Sequence, residues 1–193
     1  SRRKIMSIAE LFLLAVGLSM DAFAVSICKG LSLRNFKVKH MLIAGAWFGG
    51  FQALMPTVGY VLGSFFADLV SKWSHWIAFV LLLFIGGSMI KESFGEEEEV
   101  DADMSFKVMF LLAVATSIDA LAVGVSFAFL KLSTLYIILA VLFIGCITFI
   151  CSAVGVKIGS IFGTKYKSKA ELAGGIILIL IGVKVVLDGL GIL

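Results

Sequence analysis

The chain reads as long apolar blocks separated by short polar breaks, with no sustained alternation of apolar and polar positions. Six blocks stand out, at residues 8–27, 41–66, 76–90, 106–130, 135–156 and 172–190; the third is short unless it extends to Phe94. A membrane-spanning helix needs about 20 mostly apolar residues. Lipid restricts spanning backbone to helices or closed barrels, and blocks of this length without a two-residue period predict helices. The expected fold class is all-α integral membrane, with six transmembrane helices. Composition agrees: 15% of residues are charged, whereas a soluble domain carries roughly a quarter.

The blocks are related to one another. Ser19-Met20-Asp21-Ala22-Phe23-Ala24-Val25 matches Ser117-Ile118-Asp119-Ala120-Leu121-Ala122-Val123. Val58-Gly59-Tyr60-Val61-Leu62-Gly63-Ser64 matches Val154-Gly155-Val156-Lys157-Ile158-Gly159-Ser160, and 86–95 matches 182–191 with Glu92 over Asp188. The matches keep their order, one per predicted helix, which divides the chain into a first repeat at 6–95, an acidic linker at 96–103 and a second repeat at 104–193. Three spans per repeat is an odd number, so the second repeat enters from the opposite side. The expectation is two inverted-topology three-helix repeats, an arrangement found in secondary transporters.

Lysine and arginine in loops set orientation. Lys29, Arg34, Lys37, Lys39, Lys91, Lys107, Lys165, Lys167 and Lys169 fall on one side, against Lys72 and Lys131 on the other. The richer side is expected in the cytoplasm and both termini outside. The run Glu96-Glu97-Glu98-Glu99, followed by Asp101 and Asp103, reads as a solvated connector. The native start is expected near Met6, with residues 1–5 an added or processed leader. Cys28, Cys146 and Cys151 lie in or at the ends of apolar blocks, with no zinc-site or disulfide spacing.

Asp21 and Asp119 carry the chemistry. An aspartate at the centre of a span costs roughly 2.5–3.5 kcal/mol on insertion scales, and its default reading is an ion or proton pathway. Equivalent positions in inverted repeats can meet near mid-depth. Two carboxylates in a dry site favour one shared proton, and a divalent cation relieves the same repulsion. Exchange of metal against protons follows as an expectation. Small neighbours, including Gly17, Ala22, Ser26, Ala115 and Gly124, suit close helix packing. Ser19 and Ser117 are candidate oxygen donors beside the carboxylates. Gln52 offers a neutral amide oxygen and aligns with Thr148; Pro56 aligns with Ser152. Pro56 is expected to interrupt its helix and free carbonyls. Lys184 either snorkels or pairs with Asp188 one turn on.

These segments resemble the MntP-type manganese exporters of bacteria. The likeness rests on the two aspartate motifs, on Phe48-Gly49-Gly50-Phe51-Gln52-Ala53-Leu54-Met55-Pro56, on His75-Trp76-Ile77-Ala78-Phe79 and on the glycine pair at 86–87, and it covers essentially the whole chain. It implies a multi-pass pump of the bacterial plasma membrane that exports manganese(II). It assigns metal-transport roles to Asp21 and Asp119, with manganese as cargo and no resident cofactor. Some members of that family carry a glutamate where this chain has Gln52, so the site here has one charge fewer. Carboxylates and neutral oxygens suit hard cations, which leaves magnesium, calcium and ferrous iron open on residue chemistry alone. No Gly-x-x-x-x-Gly-Lys loop is present, and neither a nucleotide-driven enzyme nor a nucleic-acid partner is expected. An intramembrane aspartyl protease also needs two membrane aspartates, but Ser-Met-Asp and Ser-Ile-Asp stand where Gly-x-Gly-Asp would.

Overall fold

The computed structural model describes residues 7–94, 104–130, 132–163 and 167–192, and all its regular structure is helical. The elements are α1 (Ile8–Leu31), α2 (Val38–Ser93), α3 (Phe106–Leu130), α4 (Thr134–Gly163) and α5 (Lys167–Gly189). The acidic linker expected at 96–103 and the leader at 1–5 lie outside the described residues.

α1 starts where a capping box allows it. The Glu10 backbone N–H donates to Ser7 Oγ at 3.2 Å, and the Ser7 N–H donates to the Glu10 carboxylate at 2.7 Å. Two N–H groups left over at the helix start are thereby satisfied. α1 ends at a short connection whose Leu33 is buried. Lys157 of α4 lies 4.4 Å from the ring centroid of Phe36 in the same connection, a cation–π contact that fastens it to the bundle.

Four helical stretches among the described residues are long and apolar enough to cross a membrane: Ile8–Leu31, Val38–Gly63, Phe106–Ala128 and Thr134–Phe162. Large apolar side chains such as Leu13, Leu42, Leu139 and Ile150 are exposed around them, which marks a surface made for lipid. Of three buried apolar clusters among the described residues, the largest is fed by the first four helices, with Ala22 and Val25 of α1, Phe48 of α2, Met109 and Leu112 of α3 and Val156 of α4.

Glycines set the helix pairing. A β-carbon at Gly155 would lie 2.9 Å from the Phe23 carbonyl oxygen, and one at Gly159 would run into the Ile27 carbonyl, so α1 and α4 ascend together, backbone against backbone. In the same manner Gly59 faces the Leu121 carbonyl and Gly63 the Val125 backbone, so α2 and α3 run parallel. Trp47 against Phe106, with centroids 5.1 Å apart, extends that pairing to the other end. Where α2 crosses α4, Gly49 and Gly145 meet: a β-carbon on either would come within 2.8 or 3.1 Å of the other's carbonyl oxygen.

The sequence predicts two helices where the structure has α2, which is continuous for 56 residues. No glycine or proline stands between Gly63 and Gly86 to break it, and the polar stretch around Lys72 marks only the exit from the apolar region. α2 is nonetheless not straight. Gly86 packs on Gly175 of α5, while Ile181, two turns along α5, packs against the cluster holding Phe48. On a straight helix Gly86 would sit about 57 Å from Phe48. α2 therefore turns back between Gly63, which still packs on α3, and His75, which packs on Gly189 of α5. Its second part runs antiparallel to α5. Pro56 does not interrupt α2 either; it removes only the N–H that would have reached the Gln52 carbonyl one turn back.

The close pairs predict a specific sensitivity. Gly59→Ala and Gly159→Ala are expected to destabilise by about 1–3 kcal/mol, the usual effect of overpacking. Gly50→Ala and Gly87→Ala, whose β-carbons would meet nothing within 4 Å, should be neutral or slightly stabilising. Thermal unfolding of the detergent-solubilised protein, followed by tryptophan fluorescence, checks both halves of the expectation.

Candidate transport site

The face each aspartate presents follows from helical geometry. α1 packs on α4 through Phe23, Ser26, Ile27 and Gly30. At 3.6 residues per turn, these positions average to the side of α1 roughly opposite Asp21. The same holds on α3, where Leu121, Gly124 and Val125 pack on α2 and Asp119 projects away from them. Each aspartate is thus turned off the tight seam that anchors its helix. The two carboxylates interact electrostatically with each other. Asp119 Oδ1 also accepts a 2.8 Å bond from the Ala120 N–H.

Gln52 joins α2 to α1 beside this pair. Its Nε2 donates to the Leu18 carbonyl oxygen at 2.8 Å, one turn from Asp21. The amide is fully buried, and its Oε1 has no protein partner. Thr148 Oγ1 and Ser152 Oγ of α4 and Ser26 Oγ of α1 are likewise buried without a partner. A buried oxygen left in this state is normally relieved by water or an ion. All four are hard, uncharged oxygens; Ser26 stands on the α4 seam, whereas Gln52, tied to α1 one turn from Asp21, offers the kind of oxygen that would complete a coordination shell around a divalent cation held by carboxylates. Among the described residues no three His, Cys, Asp or Glu side chains form a metal cage, so a cation here would rely on the carboxylate pair and neutral oxygens.

The sequence-predicted residues separate into two sets. Asp21, Asp119 and Gln52 come together on α1, α3 and α2. Thr148 and Pro56 are buried on α4 and α2, Pro56 with its carbonyl against Gly124. Ser19 and Ser117 are not brought beside the carboxylates. Each stands two residues before its aspartate, about 200° round the helix. Each donates to its own helix, Ser19 to the Val16 carbonyl at 2.8 Å and Ser117 to that of Ala113. Ser19 instead faces Cys151 of α4, with Oγ and Sγ 3.5 Å apart. Sequence reasoning missed Ser152 as an unpaired oxygen, although its alignment with Pro56 was visible. It also missed that Asp21, rather than lipid headgroups or Asp188 alone, lies in the field of Lys184.

Fold and interior together define a multi-pass helical membrane protein with polar side chains gathered inside its apolar bundle. Comparison with known proteins gives the family. The family described as "Putative manganese efflux pump" matches residues 35–186. Relatives named "Putative manganese efflux pump MntP" include the following three. The protein from Desulfitobacterium hafniense (strain Y51) is 56% identical over 189 residues, covering 98% of this chain and 99% of the relative. That from Acetivibrio thermocellus is 54% identical over 190 residues, covering 97% and 94%. That from Mannheimia succiniciproducens is 50% identical over 186 residues, covering 95% and 97%. The chain belongs to the MntP family, whose members are transporters and not enzymes. No solved structure matches it.

Gln52 allows a test of whether its amide serves the fold. Gln52→Leu removes a donor that is used and an acceptor that is not, so the two effects oppose each other, and stability should stay within about 1 kcal/mol of the parent. Thermal unfolding of the purified variant measures this; a loss of several kcal/mol would make the amide primarily a structural tie between α1 and α2.

Proposed function

We propose that this protein exports manganese(II) from the cytoplasm, holding the ion between Asp21 and Asp119, with the Gln52 amide oxygen and the hydroxyls of Thr148 and Ser152 as neutral donors. The observation that carries the reading is the electrostatic coupling of Asp119 to Asp21 inside an apolar bundle that also buries oxygens with no protein partner. The names of the relatives supply the metal; the donor set supplies only its hardness.

The mechanism rests on two inverted three-helix repeats, 6–95 and 104–193, with α2 supplying two crossings and the chain six. Three contacts support this. Gly49 and Gly145, equivalent in the sequence repeat, meet each other. Asp21 and Asp119, also equivalent, interact with each other. Gly155 on Phe23 and Gly159 on Ile27 have their counterparts in Gly59 on Leu121 and Gly63 on Val125. A twofold axis lying in the membrane plane, passing between the aspartates and through the glycine crossing, accounts for all three. The lysine-rich loops then lie in the cytoplasm and both termini outside.

Export follows from repulsion. Two carboxylates close together in a medium of low dielectric need positive charge nearby. A divalent cation supplies it on the cytoplasmic side, and protons supply it on the return. The cycle exchanges one manganese ion for protons and leaves the bundle without bare charge at either stage.

The test is flux. In proteoliposomes, manganese movement read by an entrapped metal-sensitive dye should fall by at least about tenfold in Asp21→Asn and in Asp119→Asn, since even groups that only support a ligand cost about 10–100-fold when changed. A pH dye in the same vesicles should report proton movement linked to metal in the parent protein. Undiminished flux in both variants sinks the site; metal flux with no accompanying proton movement sinks the exchange.

A further inference from the structure

Lys184 is a charged residue deep in an apolar stretch of α5, and the central site as described above makes no use of it. Its setting is fixed by its neighbours. Ile181 packs against the core cluster that contains Ala22 and Val25 of α1. Lys184 is the next position on that face, three residues on, and Asp188 follows four residues later. The opposite face of α5, through Gly175 and Ile179, packs on α2. The side of α5 that carries Lys184 and Asp188 is therefore the side turned toward α1. Of the charged groups acting on Asp21, Lys184 acts most strongly and Asp188 next.

Lys184 and Asp188 are both exposed, so neither side chain is wedged in place by packing. Gly17 lies one turn before Asp21 on the same face of α1, and a β-carbon there would meet nothing within 4 Å. The seam with α4 on the other side of α1 has no such space: a β-carbon at Gly30 would run into the Val156 carbonyl. The face of α1 that carries Asp21 is thus exposed one turn toward the N-terminal end at Gly17, the direction in which antiparallel α5 brings Lys184 and then Asp188. A lysine ammonium is a compact charge on a flexible four-carbon stem, suited to shifting between Asp21 on the neighbouring helix and Asp188 one turn along its own.

We propose that Lys184 is a tethered counter-cation for the central aspartates: its ammonium sits toward Asp21 while the site is empty of metal, sharing the neutralisation of the pair with protons, and swings to Asp188 when metal binds. The inference rests on the Asp21–Asp119 metal site proposed above and adds the device that regulates it. Ammonium and metal compete for one carboxylate, so the lysine lowers metal affinity, and its return helps expel the ion. With the N-terminus outside, the lysine stands on the exit side of the aspartates, where an exporter needs weak binding.

Manganese(II) titration of the full-length purified protein by calorimetry tests this. Lys184→Met should bind manganese about tenfold more tightly, the scale of removing one unit charge at partly shielded distance. Lys184→Arg should bind like the parent protein, a rescue that a merely structural role does not require. Asp188→Asn takes away the alternative partner and should weaken binding, but only while Lys184 is present; in the Lys184→Met background it should change nothing. Affinity that is unchanged or weaker in Lys184→Met, with binding still lost in Asp21→Asn, overturns the counter-cation and leaves the metal site standing. Binding that persists in Asp21→Asn and Asp119→Asn overturns the metal site and the counter-cation with it. If Lys184→Met does not fold, the opposite shift expected of Asp188→Asn decides; no shift there overturns the proposal.

Discussion

Helices in lipid gain nothing from burying leucine against leucine, because lipid tails offer the same environment; they associate through close packing and polar contacts. That constraint explains why glycine, and not a large apolar residue, sits at each seam. Gly155 and Gly159 let α4 lie on the backbone of α1, and Gly59 and Gly63 let α2 lie on that of α3. Each seam places carbonyl oxygens against the glycine backbone, the geometry that favours weak Cα–H···O contacts and many dispersion contacts. The side chains outside the seams then need only be apolar. This is why the exposed surface is a mixture of Leu, Ile, Val and Phe with no strong stripe, and why α3 and α4 are apolar all round.

The same seams determine what the polar residues can do. A helix held tightly along one side has its other side free for positions that packing does not favour, and Asp21 and Asp119 lie there. Burying a lone carboxylate is costly in any position. Turned away from the seam, Asp21 lies in the field of the charged face of α5, and Asp119 in that of Asp21. The division is visible within single motifs. Ser19 and Asp21 are two residues apart, yet the hydroxyl donates to its own helix and the carboxylate interacts with two other helices.

Much of the architecture was legible in the chain because apolar length translates directly into helix in a membrane. The block at 106–130 coincides with α3, and those at 8–27 and 135–156 fall within α1 and α4. What escaped was contact direction. The break after Gly63 was inferred from polar residues, but polarity ends a membrane crossing without ending a helix, and no glycine or proline is present there to do so. Pro56 was read as an interruption because one missing N–H is conspicuous in a sequence, whereas the surrounding bonds of a long helix hold it in line. Ser19 and Ser117 looked like ligands because adjacency along the chain resembles adjacency in space, and a helix defeats that over two residues. Lys184 was read against its own helix alone because Asp21, on which its charge acts, lies more than 160 positions away in α1, a relation that no local spacing encodes.

The proposed repeats are most informative where they differ. Gln52 and Thr148 occupy matching positions, and both are fully buried. The amide is long enough to cross from α2 and bond to the Leu18 carbonyl; the threonine hydroxyl is shorter and stays without a partner. One half of the pair is therefore pinned to its neighbouring helix and the other is not. α5 adds a second difference, since Lys184 aligns with Ser88 of α2, and among the described residues the charge of Lys184 acts on Asp21 and not on Asp119. A carrier with two identical halves would present an ion with the same surroundings from either side and would give it no reason to leave in one direction rather than the other. In the proposed cycle directional export still needs a driving gradient, but unequal partners of the two aspartates would make its inward-facing and outward-facing states chemically different. The departures from symmetry, more than the symmetry itself, are where this fold can set how tightly the ion is held at each face.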